Sequence, residues 1–237
     1  MVSTNLDNLD NIPPIENTFP KLLLKHAKDR ASHPAFRQKR FGIWQTLSWQ
    51  QTKDTTESLS LGLSNLGLKR ADKIAVIGQN TTMMYLSMLA TQSLGGVIVP
   101  IFPDASAEEF QSLLAHAEIK AVICQDQEQI DKIEIVKKNI KSLKFLIYEQ
   151  PRGMRSYNQN YIHSIDELIQ AGGSVKGNGK SYFENEIMSG DGDDLSTIIY
   201  TPGTTANPKG VMLSYNSLIS AGLSAAKHEK IDADENV

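Results

Sequence analysis

The chain has 237 residues, 40% of them hydrophobic and 22% charged, enough to bury a substantial core without help from disulfides or metals. Its 24 basic and 27 acidic residues leave a net charge of −3, which supplies no global attraction to nucleic acid or to an anionic membrane. The single cysteine, Cys124, excludes an internal disulfide and suits a reducing compartment; it lies in an apolar stretch and reads as a core thiol.

The first residues carry no basic cluster followed by an apolar run, so no signal peptide is expected. Residues 1–17 are polar, include Pro13-Pro14, and read as a loose arm ahead of one domain over 18–237. Phe19, Leu22, Leu23 and Ala27 recur at helical spacing. Short strands are expected near Ala35–Gln38 and Ile43–Leu47, and Ser48 with Gln51 forms a capping box for a helix ending near Gly67.

Alternation then sets in. Strands are expected at Lys73–Gly78, Gly96–Phe102, Ala121–Cys124 and Lys144–Tyr148. Helices are expected between them, at Thr81–Ser93, after a second capping box of Ser106 and Glu109, and at Gln127–Asn139. The methionines of the Thr81–Ser93 helix are expected to fill core. The stretch Leu94–Phe102 is too short and too broken by glycine and proline to cross a bilayer. The pattern predicts an α/β fold whose mostly parallel sheet is covered by helices on both faces.

Residues 149–194, rich in glycine, read as a long irregular excursion with one helix, Ser164–Gln170. A strand at Leu195–Tyr200 follows, then a return strand at Val211–Leu213 and a helix capped by Ser214 and running to about Lys227.

The loop over 200–210 carries the chemistry. Gly203 lets backbone N–H groups turn inward, Thr201, Thr204 and Thr205 add hydroxyls, and Lys209 adds a mobile positive charge. These groups suit the phosphates of a nucleotide or a departing pyrophosphate. A Walker loop is excluded, because Pro208 precedes Lys209 and Gly210 follows it.

The stretch IIYTPGTTANPKGVMLSY resembles the phosphate-binding signature of the adenylate-forming superfamily, which includes acyl-CoA synthetases, luciferases and peptide-synthetase adenylation domains. RFGIWQTLSW, ADKIAVIGQN, GGVIVPIFPDASAEEF, ICQDQEQIDKI and PRGMRSY are similar to the branch of bacterial long-chain fatty-acid–CoA ligases. The resemblance implies part of the large amino-terminal domain of an AMP-forming enzyme, with Thr201, Gly203, Thr204, Thr205 and Lys209 holding the triphosphate. It implies ATP, Mg²⁺ and CoA as cofactors, and a fatty acid converted first to acyl-adenylate and then to acyl-CoA. The remaining adenine, magnesium and acyl sites and the catalytic residues are expected beyond Val237, which makes the chain incomplete for catalysis. A non-catalytic nucleotide-binding fragment or interaction module, and adenylation of another carboxylate such as an aryl or amino acid, are the alternatives. A cytoplasmic protein is expected, with any membrane contact peripheral.

Three positions depart from the usual signature. Pro202 replaces serine and removes a donor, which weakens nucleotide contact by about 1.5–3 kcal/mol unless neighbours compensate. Ala206 replaces a glycine, and Tyr215 stands where histidine is usual. Asp191, Asp193 and Asp194 lack the other ligands of a calcium loop and read as a solvated turn; His26, His33, His116, His163 and His228 show no metal-ligand spacing. The basic stretch Lys25, Lys28, Arg30, Arg37, Lys39 and Arg40 reads as a solvated face ahead of an acidic partner or lipid headgroups.

Overall fold

The computed structural model describes residues 16–157, 159–175, 179–201 and 208–231. Thr18 accepts a hydrogen bond from the Lys21 N–H and opens α1 (Phe19–Asp29). The chain then forms an antiparallel hairpin of β1 (Pro34–Arg40) and β2 (Ile43–Ser48). Helix α2 (Trp49–Asn65) starts at the expected capping box: Ser48 Oγ accepts from Gln51 N at 3.2 Å, and Gln51 Oε1 accepts from Ser48 N at 2.9 Å.

Next come β3 (Lys73–Ile77), α3 (Thr82–Ser93), β4 (Val97–Ile101), α4 (Ala107–His116), β5 (Ala121–Cys124), α5 (Gln127–Val136) and β6 (Phe145–Tyr148). The second expected box starts α4, with Glu109 Oε2 accepting from Ser106 N at 2.7 Å. Each box satisfies backbone donors that a bare helix start leaves unpaired, a contribution of about 1 kcal/mol. Helix α5 tightens into a 3-10 turn at Lys137–Asn139, which completes the helical span expected there.

The stretch 149–194 is more ordered than expected. It holds β7 (Ile162–Ser164), α6 (Ile165–Gly173) and α7 (Gly179–Met188). A three-residue strand is too short to show alternation. Helix α7 buries only Gly179, Phe183 and Ile187, so its apolar signal is one i, i+4 pair. At the end of the expected arm, Asn17 is buried, accepting from Lys21 Nζ at 3.0 Å and donating to Asp191 Oδ2 at 3.3 Å. Residues 1–15 lie outside the described residues. The chain ends in β8 (Leu195–Thr201), β9 (Lys209–Ser214) and α8 (Tyr215–Glu229).

Seven strands form one sheet in the order β7-β6-β5-β3-β4-β8-β9, parallel throughout except for β8 against β9. One face packs Phe110 and Leu114 of α4 and Ile130, Ile133 and Val136 of α5 against the strands, with Cys124 sealed among them. The other packs Leu59 and Leu63 of α2, Met84 and Ala90 of α3, and Ile165 and Leu168 of α6. Met84 thus fills core as expected, with Met83 and Met88 partly buried beside it. Both faces are covered because β3 and β4 lead into helices on opposite sides of the sheet.

Helices α2 and α6 approach through glycine. A Cβ on Gly62 would lie 2.2 Å from the Leu168 carbonyl oxygen, and one on Gly172 would lie 1.8 Å from that of Ser58. Gly172, which reads in sequence as a mark of irregular chain, is therefore a helix contact.

Candidate functional site

The parallel strands all end at one edge of the sheet. Adjacent strands β3 and β4 send their helices to opposite faces there, the position at which ligands of open α/β sheets bind. Strand β8 lies beside β4 and runs parallel to it, with Thr197 opposite Ile98, so the chain leaving Thr201 emerges at the same edge.

The two stems of the loop over 200–210 are paired strands. Thr201 pairs with Lys209 and Tyr200 with Gly210 across the antiparallel β8–β9 ladder. Lys209 is exposed at the start of β9. The backbone of Thr201 ends β8; Pro202, Gly203, Thr204, Thr205 and Ala206 lie outside the described residues. The structure therefore brings Thr201 and Lys209 together as the two ends of the seven-residue connection over 202–208.

The base of the loop is held by groups that sequence motifs did not single out. The Tyr200 hydroxyl lies 2.8 Å from His116 Nδ1, at the last residue of α4, and the two rings meet edge to face at 5.7 Å. A Cβ at Gly210 would lie 2.7 Å from Ile198 Cγ2 and 3.1 Å from Tyr200 Cζ, so glycine is what allows β9 to close over that ring. No local signal links His116 to Tyr200, because 84 residues separate them.

Tyr215 plays a different part from a loop histidine. It is buried at the first position of α8, its ring edge-on to Phe19 at 5.7 Å. Burial, reinforced by the Asp194 carboxylate, pushes its phenol well above the ordinary range. It packs α8 against α1. The aspartate turn is likewise built in: Asp191 N donates to Asp194 Oδ2 at 2.9 Å, and Asn216 Nδ2 of α8 donates to Asp193 Oδ1 at 2.9 Å. The three aspartates are exposed in a turn, as expected, and they also fasten the start of α8.

Glu149 lies just past β6, at this edge. Burial raises its pKa, against a hydrogen bond from Thr81 Oγ1 at 3.3 Å and the nearby Arg40 charge. Four strand spacings, about 19 Å of sheet, separate β6 from β8, so Glu149 does not share a site with Lys209. The raised value means the folded chain holds this proton more tightly than the unfolded one. Stability from this group is complete below the ordinary carboxylate range and falls as pH rises through the raised value. Glu149→Gln keeps an acceptor for Thr81, so it is expected to raise the melting midpoint at neutral pH and leave it nearly unchanged in mild acid; thermal melts at both pH values check this.

A mostly parallel α/β sheet covered by helices on both faces is the architecture of the amino-terminal domain of adenylate-forming enzymes. Residues 23–237 match the family described as AMP-binding enzyme, and the chain belongs to that family. It is 27% identical over 203 residues to human long-chain-fatty-acid–CoA ligase ACSBG2, an alignment covering 85% of this chain and 29% of that relative. The chain thus spans about a third of the length of the curated relatives of this kind. Among solved structures, the inhibitor-bound N-terminal domain of FACL13 from Mycobacterium tuberculosis superposes with a TM-score of 0.69 at 21% identity, over 89% of this chain and 47% of that one. Acetoacetyl-CoA synthetase from Streptomyces lividans gives 0.71 at 18% identity, over 87% and 31%. These likenesses establish the fold. No helix among the described residues is long and apolar enough to cross a membrane.

Proposed function

We propose that this chain supplies the phosphate-binding part of an ATP-dependent acyl-CoA ligase acting on fatty acids. In that reaction the substrate carboxylate bonds to the α-phosphorus of ATP as the bond to pyrophosphate breaks. CoA thiolate then displaces AMP to leave the thioester. The observation that carries the reading is the pairing of Thr201 with Lys209, which sets both stems of the loop side by side at the carboxyl edge of the sheet. Thr201, Gly203, Thr204, Thr205 and Lys209 serve as donors to the triphosphate, and they act most strongly on the charge that grows on the departing pyrophosphate. The fatty-acid choice is supported by relatives whose names specify long-chain fatty acids. Among the described residues no group of three or more His, Cys, Asp or Glu is placed to hold a metal ion, so no step is assigned to Mg²⁺.

Calorimetric titration of the chain with ATP and with pyrophosphate tests the loop, and ATP–pyrophosphate exchange by a full-length version with fatty, aryl and amino acids tests the substrate. Binding of both phosphates, with exchange stimulated by fatty acids, is the expected result. Binding without exchange supports a nucleotide-binding module. Exchange stimulated by aryl or amino acids alone overturns the fatty-acid assignment, and absence of any binding overturns the loop assignment.

A further inference from the structure

The β1–β2 hairpin is built against its own folding preferences. Its two-residue turn, Phe41-Gly42, has both residues at positive φ, 48° and 81°. Turns of this kind favour Asn, Asp or Gly at the first position, because a side chain with a large Cβ substituent is strained there. Phe41 is also 92% exposed, so neither backbone geometry nor burial accounts for an aromatic residue. Ile43 and Trp44, the first residues of β2, are exposed at 66% and 57%.

The hairpin's own charge has one sign, with the Glu149 carboxylate near enough to feel Arg40. Residues 34–48 contain Arg37, Lys39 and Arg40 and no acidic residue. Arg37 lies over the Trp44 ring at 5.1 Å, and Arg40 over Phe41 at 5.5 Å. The face opposite Arg37, Lys39 and Trp44 is used: Phe36 stacks on Tyr85 at 5.8 Å, and Gln38 Oε1 accepts from Thr82 N at 2.9 Å. Going from Phe36 to Gln38 the strand climbs from Tyr85 to the start of α3, which sits at the carboxyl edge of the sheet. The tip, three residues further on, projects about 10 Å beyond. It points past the same edge from which the phosphate loop leaves.

We infer that this hairpin tip is a membrane-contact wedge for an anionic lipid surface, with Phe41, Ile43 and Trp44 entering the headgroup boundary and Arg37, Lys39 and Arg40 pairing with lipid phosphates. Aromatic side chains with apolar bodies settle at that depth, and each cation near an anionic leaflet adds roughly fivefold to partitioning. The contact rests on the hairpin alone and needs no nucleotide. Under the proposed function, which this last point assumes, it turns the ligand edge toward the layer in which long acyl chains dissolve.

Co-sedimentation of the chain with phosphatidylcholine vesicles, with and without phosphatidylglycerol, tests it directly. Salt-sensitive binding to the anionic vesicles is expected. Replacing Arg37, Lys39 and Arg40 together by glutamine is expected to weaken it about a hundredfold. Phe41→Asn is expected to weaken it about tenfold or more and to raise the melting midpoint at the same time, because asparagine tolerates the positive φ. In a Trp49→Phe background Trp44 is the sole indole, and its emission should shift to the blue on binding. Equal binding to neutral vesicles, no binding, or variants that bind as the parent does overturn the inference. Self-association that Phe41→Asn disperses assigns the tip to a second copy instead, and overturns it too. Vesicle binding by a chain that fails to bind ATP would sink the loop assignment and leave the wedge standing.

Discussion

Gly172→Ala is expected to destabilise the chain by about 3 kcal/mol, the upper part of the range for overpacking a close contact, read as a lower urea midpoint. The added methyl would lie 1.8 Å from the Ser58 carbonyl oxygen and 2.6 Å from the Gly62 nitrogen, both backbone atoms that no rotamer change can move. Relief requires α6 to back away from α2. That movement draws Ile165 and Leu168, both buried in the core that α2 and α3 share, off their partners. The adjacent Gly173→Ala is the control. Its methyl would meet Ser58 Oγ at 3.4 Å, an ordinary contact, and alanine favours the helix by up to about 1 kcal/mol. Two neighbouring glycines with the same substitution are thus expected to move the midpoint in opposite directions. Equal effects would show that α2 and α6 do not approach as described.

Lys209→Ala is expected to weaken ATP binding by about ten- to a hundredfold, the loss of one charge-assisted donor worth roughly 1.5–3 kcal/mol. The fold should be unaffected, because Lys209 is exposed and its pairing with Thr201 is made by backbone. Lys209→Arg, which keeps the charge in a different shape, should recover part of the affinity. An alanine variant that binds ATP as tightly as the parent would remove Lys209 from the phosphate site. The Pro202 and Ala206 departures act on the same affinity. A parent chain that binds well shows that the remaining donors compensate for the hydroxyl and N–H that proline removes.

The elements legible in sequence were those specified locally. Ser48 with Gln51 and Ser106 with Glu109 act across three residues, and both helices start where those pairs place them. Ala121–Cys124 is a continuous apolar run, which is how a strand buried on both faces reads, and its bounds were found without error. What escaped were elements whose signal is short or weak. β7 has three residues, and α7 has a polar sequence held by Phe183 and Ile187. Ile199, Val211 and Met212 remain exposed on the β8–β9 pair.

For the candidate site the division is sharper. The loop between Tyr200 and Gly210 is a contiguous motif, so the family was readable from residue order alone, and the five residues proposed to hold the triphosphate rest on that motif. Its supports were not, because they are contacts between distant segments: His116 on Tyr200, and β9 closing over the same ring. The sequence by itself determined the alternation of strands and helices, the helix starts and the phosphate loop, since each depends on neighbours within a few residues. Only the tertiary structure decided the strand order, the burial of Tyr215 against Phe19, the glycine contact of α2 with α6 and the exposure of Phe41 at a strained turn. Each of those is settled by which segments lie side by side, and local propensity carries no record of that.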